Sequence, residues 1–243
     1  MPEELRKGFH HELEDVQIDI VRLGQSVIDA IPRATNVLLD SDMEGADILI
    51  QGDDELDARS IDLEERCYRL LALQQPMAGD LRGIVAALRI VGEIERSADL
   101  LANICKGARR MHGHTLDPKV RGVISRMAEQ AQHLFSRAID CYAEGDAALA
   151  AALDDMDDLL DRLQVELIQV IFESHEAGRI DLQVAVQLAV IARFYERIGD
   201  HAVNIGNRVR YIINGWMPEH VGAAKFHARG VKADADRLAL PQP

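Results

Sequence analysis

The chain has 243 residues and a formal charge of −14, which excludes a nucleic-acid backbone as its main partner because phosphate neutralisation needs a basic face. Aromatic residues are only 4% of a chain that is 48% hydrophobic and 28% charged, a balance that packs helix on helix rather than sheet on sheet. Cys67, Cys105 and Cys141 are odd in number and lack Cys-x-x-Cys spacing, which fits a reduced, cytoplasmic setting, and the most apolar run, 184–192, is too short to insert in a membrane.

In chain order, the apolar residues trace six helices. Leu13, Val16, Ile20, Leu23, Val27, Ile31, Ala34 and Val37 recur every three or four positions and predict a first helix over 7–40, with Pro32 expected to bend it or end it early. Asp42 is suited to cap a second helix running to residue 75, and Pro76 to open a third at its first position. The third continues to residue 111, and residues 112–118, with their Gly and Asp-Pro, read as a link between halves. A fourth helix over 118–144, a Gly145-Asp146 turn, a fifth over 147–177 ended by Gly178, and a sixth over 180–214 complete the set. Short connections force neighbouring helices to run antiparallel, so the fold class is all-α, with three-helix up-down-up bundles at 7–111 and 117–215. Residues 219–243 lose the apolar rhythm and are expected to form a flexible tail.

The two halves are related. Glu-Arg-x-x-Asp-x-x-x-Asn-Ile occurs at 95–104 and again at 196–205, and at the same offset, without a gap, Asp53, Asp54, Asp57 and Glu65 meet Asp154, Asp155, Asp158 and Glu166. Internal duplication of this kind establishes two similar units before any fold argument begins.

On a helix, Glu95 and Asp99 lie one turn and ~40° apart, at the border between core and water, as do Glu196 and Asp200. The preceding helix of each half carries a second pair at the same spacing, Asp53 with Asp57 and Asp154 with Asp158. One such pair is ordinarily a solvated helix face. Four in register, each costing roughly 0.2–0.5 kcal/mol in like-charge repulsion, require a compensating cation, supplied by Arg96 and Arg197 or by a metal. Oxygen donors without a fixed His or Cys suit Fe, Mn, Mg, Ca or carboxylate-bound Zn, while Glu-x-x-x-Asp in place of Glu-x-x-His argues against a buried di-iron oxidase.

Two stretches carry a family resemblance: Gln74-Gln75-Pro76-Met77-Ala78-Gly79-Asp80-Leu81-Arg82 at the entry to the third helix, and Glu196-Arg197-Ile198-Gly199-Asp200-His201-Ala202-Val203-Asn204-Ile205 in the sixth. With them the chain resembles the PhoU family over residues 9–217. The resemblance implies two three-helix bundles and multinuclear iron or zinc clusters on the bundle surface. Their ligands would be Asp53, Asp57, Glu95 and Asp99 in one half and Asp154, Asp158, Glu196 and Asp200 in the other, with Asn103 and Asn204 as support. It also implies a cytoplasmic, homodimeric regulator that touches a phosphate ABC transporter ATPase and a sensor histidine kinase and represses the phosphate-starvation response. No catalytic residue is expected. His201 is expected to make a surface or inter-bundle contact rather than to be a ligand, and with Ser97-Ala98 against Ile198-Gly199 the two sites need not be equal. The competing readings are a carboxylate-bridged metalloenzyme, with metal-bound water as nucleophile, and a metal-free acidic adaptor.

Overall fold

In the computed structural model, residues 2–74 and 76–215 are described. They form six helices, α1 (Pro2–Asp40), α2 (Met43–Gln74), α3 (Gly79–Arg110), α4 (Pro118–Glu144), α5 (Ala147–Glu176) and α6 (Leu182–Asn214), and no strand occurs among the described residues. The acidic tail ends of the connections explain the starts: Asp42 accepts from the Gly45 N–H, Asp117 from Lys119, Asp146 from Ala148 and Leu149, and Asp181 from Val184. Gly145 and Gly215 close α4 and α6 in the left-handed conformation, at φ 67° and 69°. The expected tail, 219–243, lies outside the described residues.

One expectation about proline is corrected, and of the two alternatives at Pro32 the early end is excluded. α3 opens at Gly79 rather than Pro76, because the chain turns into it through Ala78, held at φ 48°. Pro32 neither ends nor interrupts α1. A proline there withholds the N–H that the Ile28 carbonyl would accept, and Gln132 of α4 donates its side-chain amide to that carbonyl at 3.2 Å instead. The helix survives its proline because the other bundle satisfies the freed acceptor.

α2 packs only on α1 and α3, and α5 only on α4 and α6, while α1 meets α4 and α3 meets α6. The bundles therefore join through a four-helix centre with α2 and α5 on the flanks, and one hydrophobic core runs through both halves. Ile20, Ile31, Ile84 and Ile104 fill the first side, and Met127, Phe135, Leu167 and Tyr195 the second. Between them Thr35 Oγ1 and the Tyr195 hydroxyl share a buried hydrogen bond of 2.7 Å. Cys67, Cys105 and Cys141 are free and buried, and burial pushes their thiols up to about 11, 11 and 12, which makes them inert. Among the described residues no helix is long and apolar enough to cross a membrane.

Burial also corrects the ungapped register of the repeat. Ile20, Leu23, Ile31 and Val37 of α1 are buried as Ile124, Met127, Phe135 and Cys141 of α4 are; Leu56, Leu63, Cys67 and Leu70 of α2 correspond in the same way to Leu160, Leu167, Ile171 and Ser174 of α5. In α3 and α6 the earlier offset holds, Ile84 with Ala185, Val91 with Ala192 and Ile104 with Ile205. Three residues are missing from the second hairpin: 38 positions separate Asp57 from Glu95, and 35 separate Asp161 from Glu196. The structural counterparts of Asp53 and Asp57 are thus Asp157 and Asp161.

Candidate metal centres

In the first bundle the structure brings Asp53 and Asp57 of α2 together with Glu95 and Asp99 of α3. Partial burial, then the charges of Asp99, Asp57 and Glu95, push the Asp53 carboxyl up to about 6 against the opposing pull of Lys106. Asp57 is raised by burial and by Asp99, and Glu95 by burial, Asp99 and Asp57. Each feels its neighbours as uncompensated negative charge, the condition that a bound cation relieves.

In the second bundle the α5 carboxylate packed against α6 is Asp157, which lies beside Gly199 and in the field of Asp200. Burial, then Asp161 and Asp200, push it up to about 7, with Asp154 and Asp158 as lesser contributors. Asp200 is raised by burial and by Asp161, while Arg193 pulls it down. Asp154, Asp158 and Asp161 are exposed on α5, and Asp157 is half-buried. Gly199 makes the approach possible: a Cβ there would stand 2.3 Å from Asp157 Oδ1 and 2.7 Å from a Leu160 methyl. In the first bundle that position is Ala98, so a difference between the two sites has a steric cause.

Among the described residues no three His, Cys, Asp or Glu side chains form a ready-made cage for a metal ion. The second cluster nonetheless fits one by its chemistry. Asp157 Oδ1 and Glu196 Oε2 are buried without a hydrogen-bond partner, and orphaned carboxyl oxygens of this kind are relieved by a proton or by a positive ligand. Glu196 Oε1 is met by Arg193, not by Arg197. Coordination in either bundle needs the carboxylates to turn inward from the positions they hold against one another.

The sequence reading missed Glu93. It lies on the buried side of α3, where His201 Nδ1 approaches its Oε2 at 2.7 Å, Asn204 donates to the same oxygen at 3.2 Å and Arg96 pairs with Oε1 at 3.3 Å. Burial raises the Glu93 carboxyl, but the hydrogen bonds from His201 and Asn204 outweigh it and hold the group below its ordinary value. His201 is therefore an inter-bundle contact, and Asn204, expected to support the acidic pair, is committed to Glu93 instead. A carboxylate between Val91 and Ile94 on an apolar face was the signal available, since such a group needs a buried partner.

Repeated three-helix bundles with an acidic cluster between the second and third helix of each define a duplicated, carboxylate-rich helical-bundle protein. The family profile described as the PhoU domain matches this chain twice, over residues 20–108 and 124–209, and the chain belongs to that family. It is 33% identical over 216 residues to the phosphate-specific transport system accessory protein PhoU homolog 1 of Mycobacterium leprae (strain TN), covering 88% of this chain and 96% of that protein. The crystal structure of PhoU from Pseudomonas aeruginosa superposes with a TM-score of 0.79 at 29% identity, over 86% of this chain and all of that one. The phosphate transport system regulatory protein PhoU from Streptococcus pneumoniae shares the fold, with a TM-score of 0.79 at 23% identity, over 86% of this chain and 98% of that one. These relatives are named as accessory and regulatory proteins, not as enzymes.

Proposed function

We propose that this chain is a metal-binding cytoplasmic accessory protein of phosphate transport that restrains the phosphate-starvation response through contact with the transporter ATPase and a sensor histidine kinase. The observation that carries the metal-binding part is the orphaned pair Asp157 Oδ1 and Glu196 Oε2, matched by the crowded carboxylates of the first bundle. Asp53, Asp57, Glu95 and Asp99 would hold one cluster, and Asp157, Asp161, Glu196 and Asp200 the other. The donor set is all oxygen, which suits iron, manganese, magnesium, calcium or carboxylate-bound zinc, with iron or zinc favoured by the family resemblance. A homodimer and the regulatory contacts rest on that resemblance and on the names of the relatives.

Metal analysis of protein purified without chelator tests the ligand assignment. Wild type should retain metal, the E95Q/E196Q variant should lose most of it, D157N/D161N should lose the second cluster, and D154N/D158N should keep both. A stable wild type with no metal would sink the proposal, and equal loss in the two aspartate variants would sink the register. Partner contact is tested separately by a pull-down in which both the transporter ATPase and the kinase are expected to be retained.

A further inference from the structure

A solvent-open cavity of about 290 Å³ lies among α1, α2 and α3 of the first bundle. Its floor is apolar, with Val27, Leu56 and Leu101, and its rim carries Ser26, Arg33 and Arg59. The corrected repeat register shows where the two bundles differ around it. Ala30 corresponds to the fully buried Leu134, Gly52 to Met156, which packs on the core, and Arg59 to the buried Leu163. Ser26 corresponds to Gln130, whose side chain bridges the space to the Met156 carbonyl at 2.9 Å. These differences place small residues and two cations around the space in the first bundle.

Those cations are available. Arg137, the counterpart of Arg33, is paired with Asp140 at 3.2 Å, but the counterpart of Asp140 is Asn36, and Arg33 has no ion pair among the described residues. Arg59 makes one long contact, 3.4 Å to Ser26 Oγ. Ser26 and Arg33 are two turns apart, so a guanidinium stands near each end of a lining about 10 Å long. Two unpaired arginines beside an apolar floor, in a chain of charge −14, are a recognition feature and not a solubility one. Asp53 and Glu55 also line the cavity.

We propose that the first bundle holds a binding site for a small organic anion, an acidic head on a short apolar body, with Arg33 and Arg59 as the two cationic anchors available to the head, one toward each end of the cavity, and the space beside Gly52 and Ala30 receiving the body. Carboxylate and phosphate heads share this chemistry.

The test uses the full chain after chelator treatment, so that its failure leaves the metal reading untouched. Binding of 8-anilinonaphthalene-1-sulfonate is followed by fluorescence, with displacement by octyl phosphate, octanoate and neutral octanol. Saturable binding at one site per chain is expected, displaced by one or both anions and not by octanol, and the better anion identifies the head. Gly52→Met, the residue of the second bundle, should weaken binding at least about tenfold, as should R33Q/R59Q, while R110Q should not. Gly52→Met is safe for folding: a Cβ there meets nothing within 4 Å, and methionine favours a helix over glycine. Unchanged binding in Gly52→Met overturns the site, unchanged binding in R33Q/R59Q overturns the anionic ligand, and displacement by octanol alone does the same.

Discussion

The Glu93 carboxylate shows how one buried charge ties the two repeats together. Its three partners come from its own helix and from α6, and removing His201 leaves an anion in the interface with only Asn204 and Arg96. His201→Ala should therefore destabilise the protein by about 2–3 kcal/mol in urea denaturation at neutral pH. A change below about 0.5 kcal/mol would mean that water replaces the imidazole without loss. Because the folded-state value of Glu93 is lowered, its contribution is present above the ordinary carboxylate range and is lost as pH falls through the folded value. Gly199 makes the second residue-scale prediction: Gly199→Ala should displace Asp157 and cost about 1–3 kcal/mol, measured by thermal and urea unfolding, whereas a neutral result would show that Asp157 and Leu160 yield freely.

At the scale of helices, Pro32 and Gln132 form a pair across the bundles. Gln132→Leu should destabilise wild type by about 1 kcal/mol, because the Ile28 carbonyl loses its donor. In a Pro32→Ala background the helix supplies its own N–H, so the same change should cost clearly less. Equal losses in both backgrounds, read from a double-mutant cycle, would show that Gln132 acts by packing alone. The shorter α5–α6 hairpin is the other element-scale lesson. Deleting three residues from a connection between antiparallel helices slides α5 along α6 by nearly one turn, which keeps an apolar stripe facing inward while changing which aspartate of α5 packs against Gly199.

For the whole molecule, two crowded carboxylate clusters set the response to pH. Asp53 and Asp157 are raised to about 6 and about 7, so between about pH 4 and pH 7 the folded chain binds more protons than the unfolded chain, and stability falls as pH rises through that window. In chelator, the melting temperature should drop over that range, and D53N/D157N should flatten the drop; an identical slope in the variant would place the effect elsewhere. Adding a divalent cation above pH 7 should raise the melting temperature of wild type more than that of the variant. The six helices, the cap at Asp42, the duplication and the α3 and α6 carboxylates were all legible in the sequence, because 3.6-residue periodicity and capping chemistry are local. Three things were decided only by tertiary packing: that Asp157 packs against Gly199 of α6, that α1 continues through Pro32, and that Glu93 meets His201. Each depends on which side chain from a distant helix arrives opposite, and identity in an ungapped alignment does not record a three-residue slide that preserves the buried face.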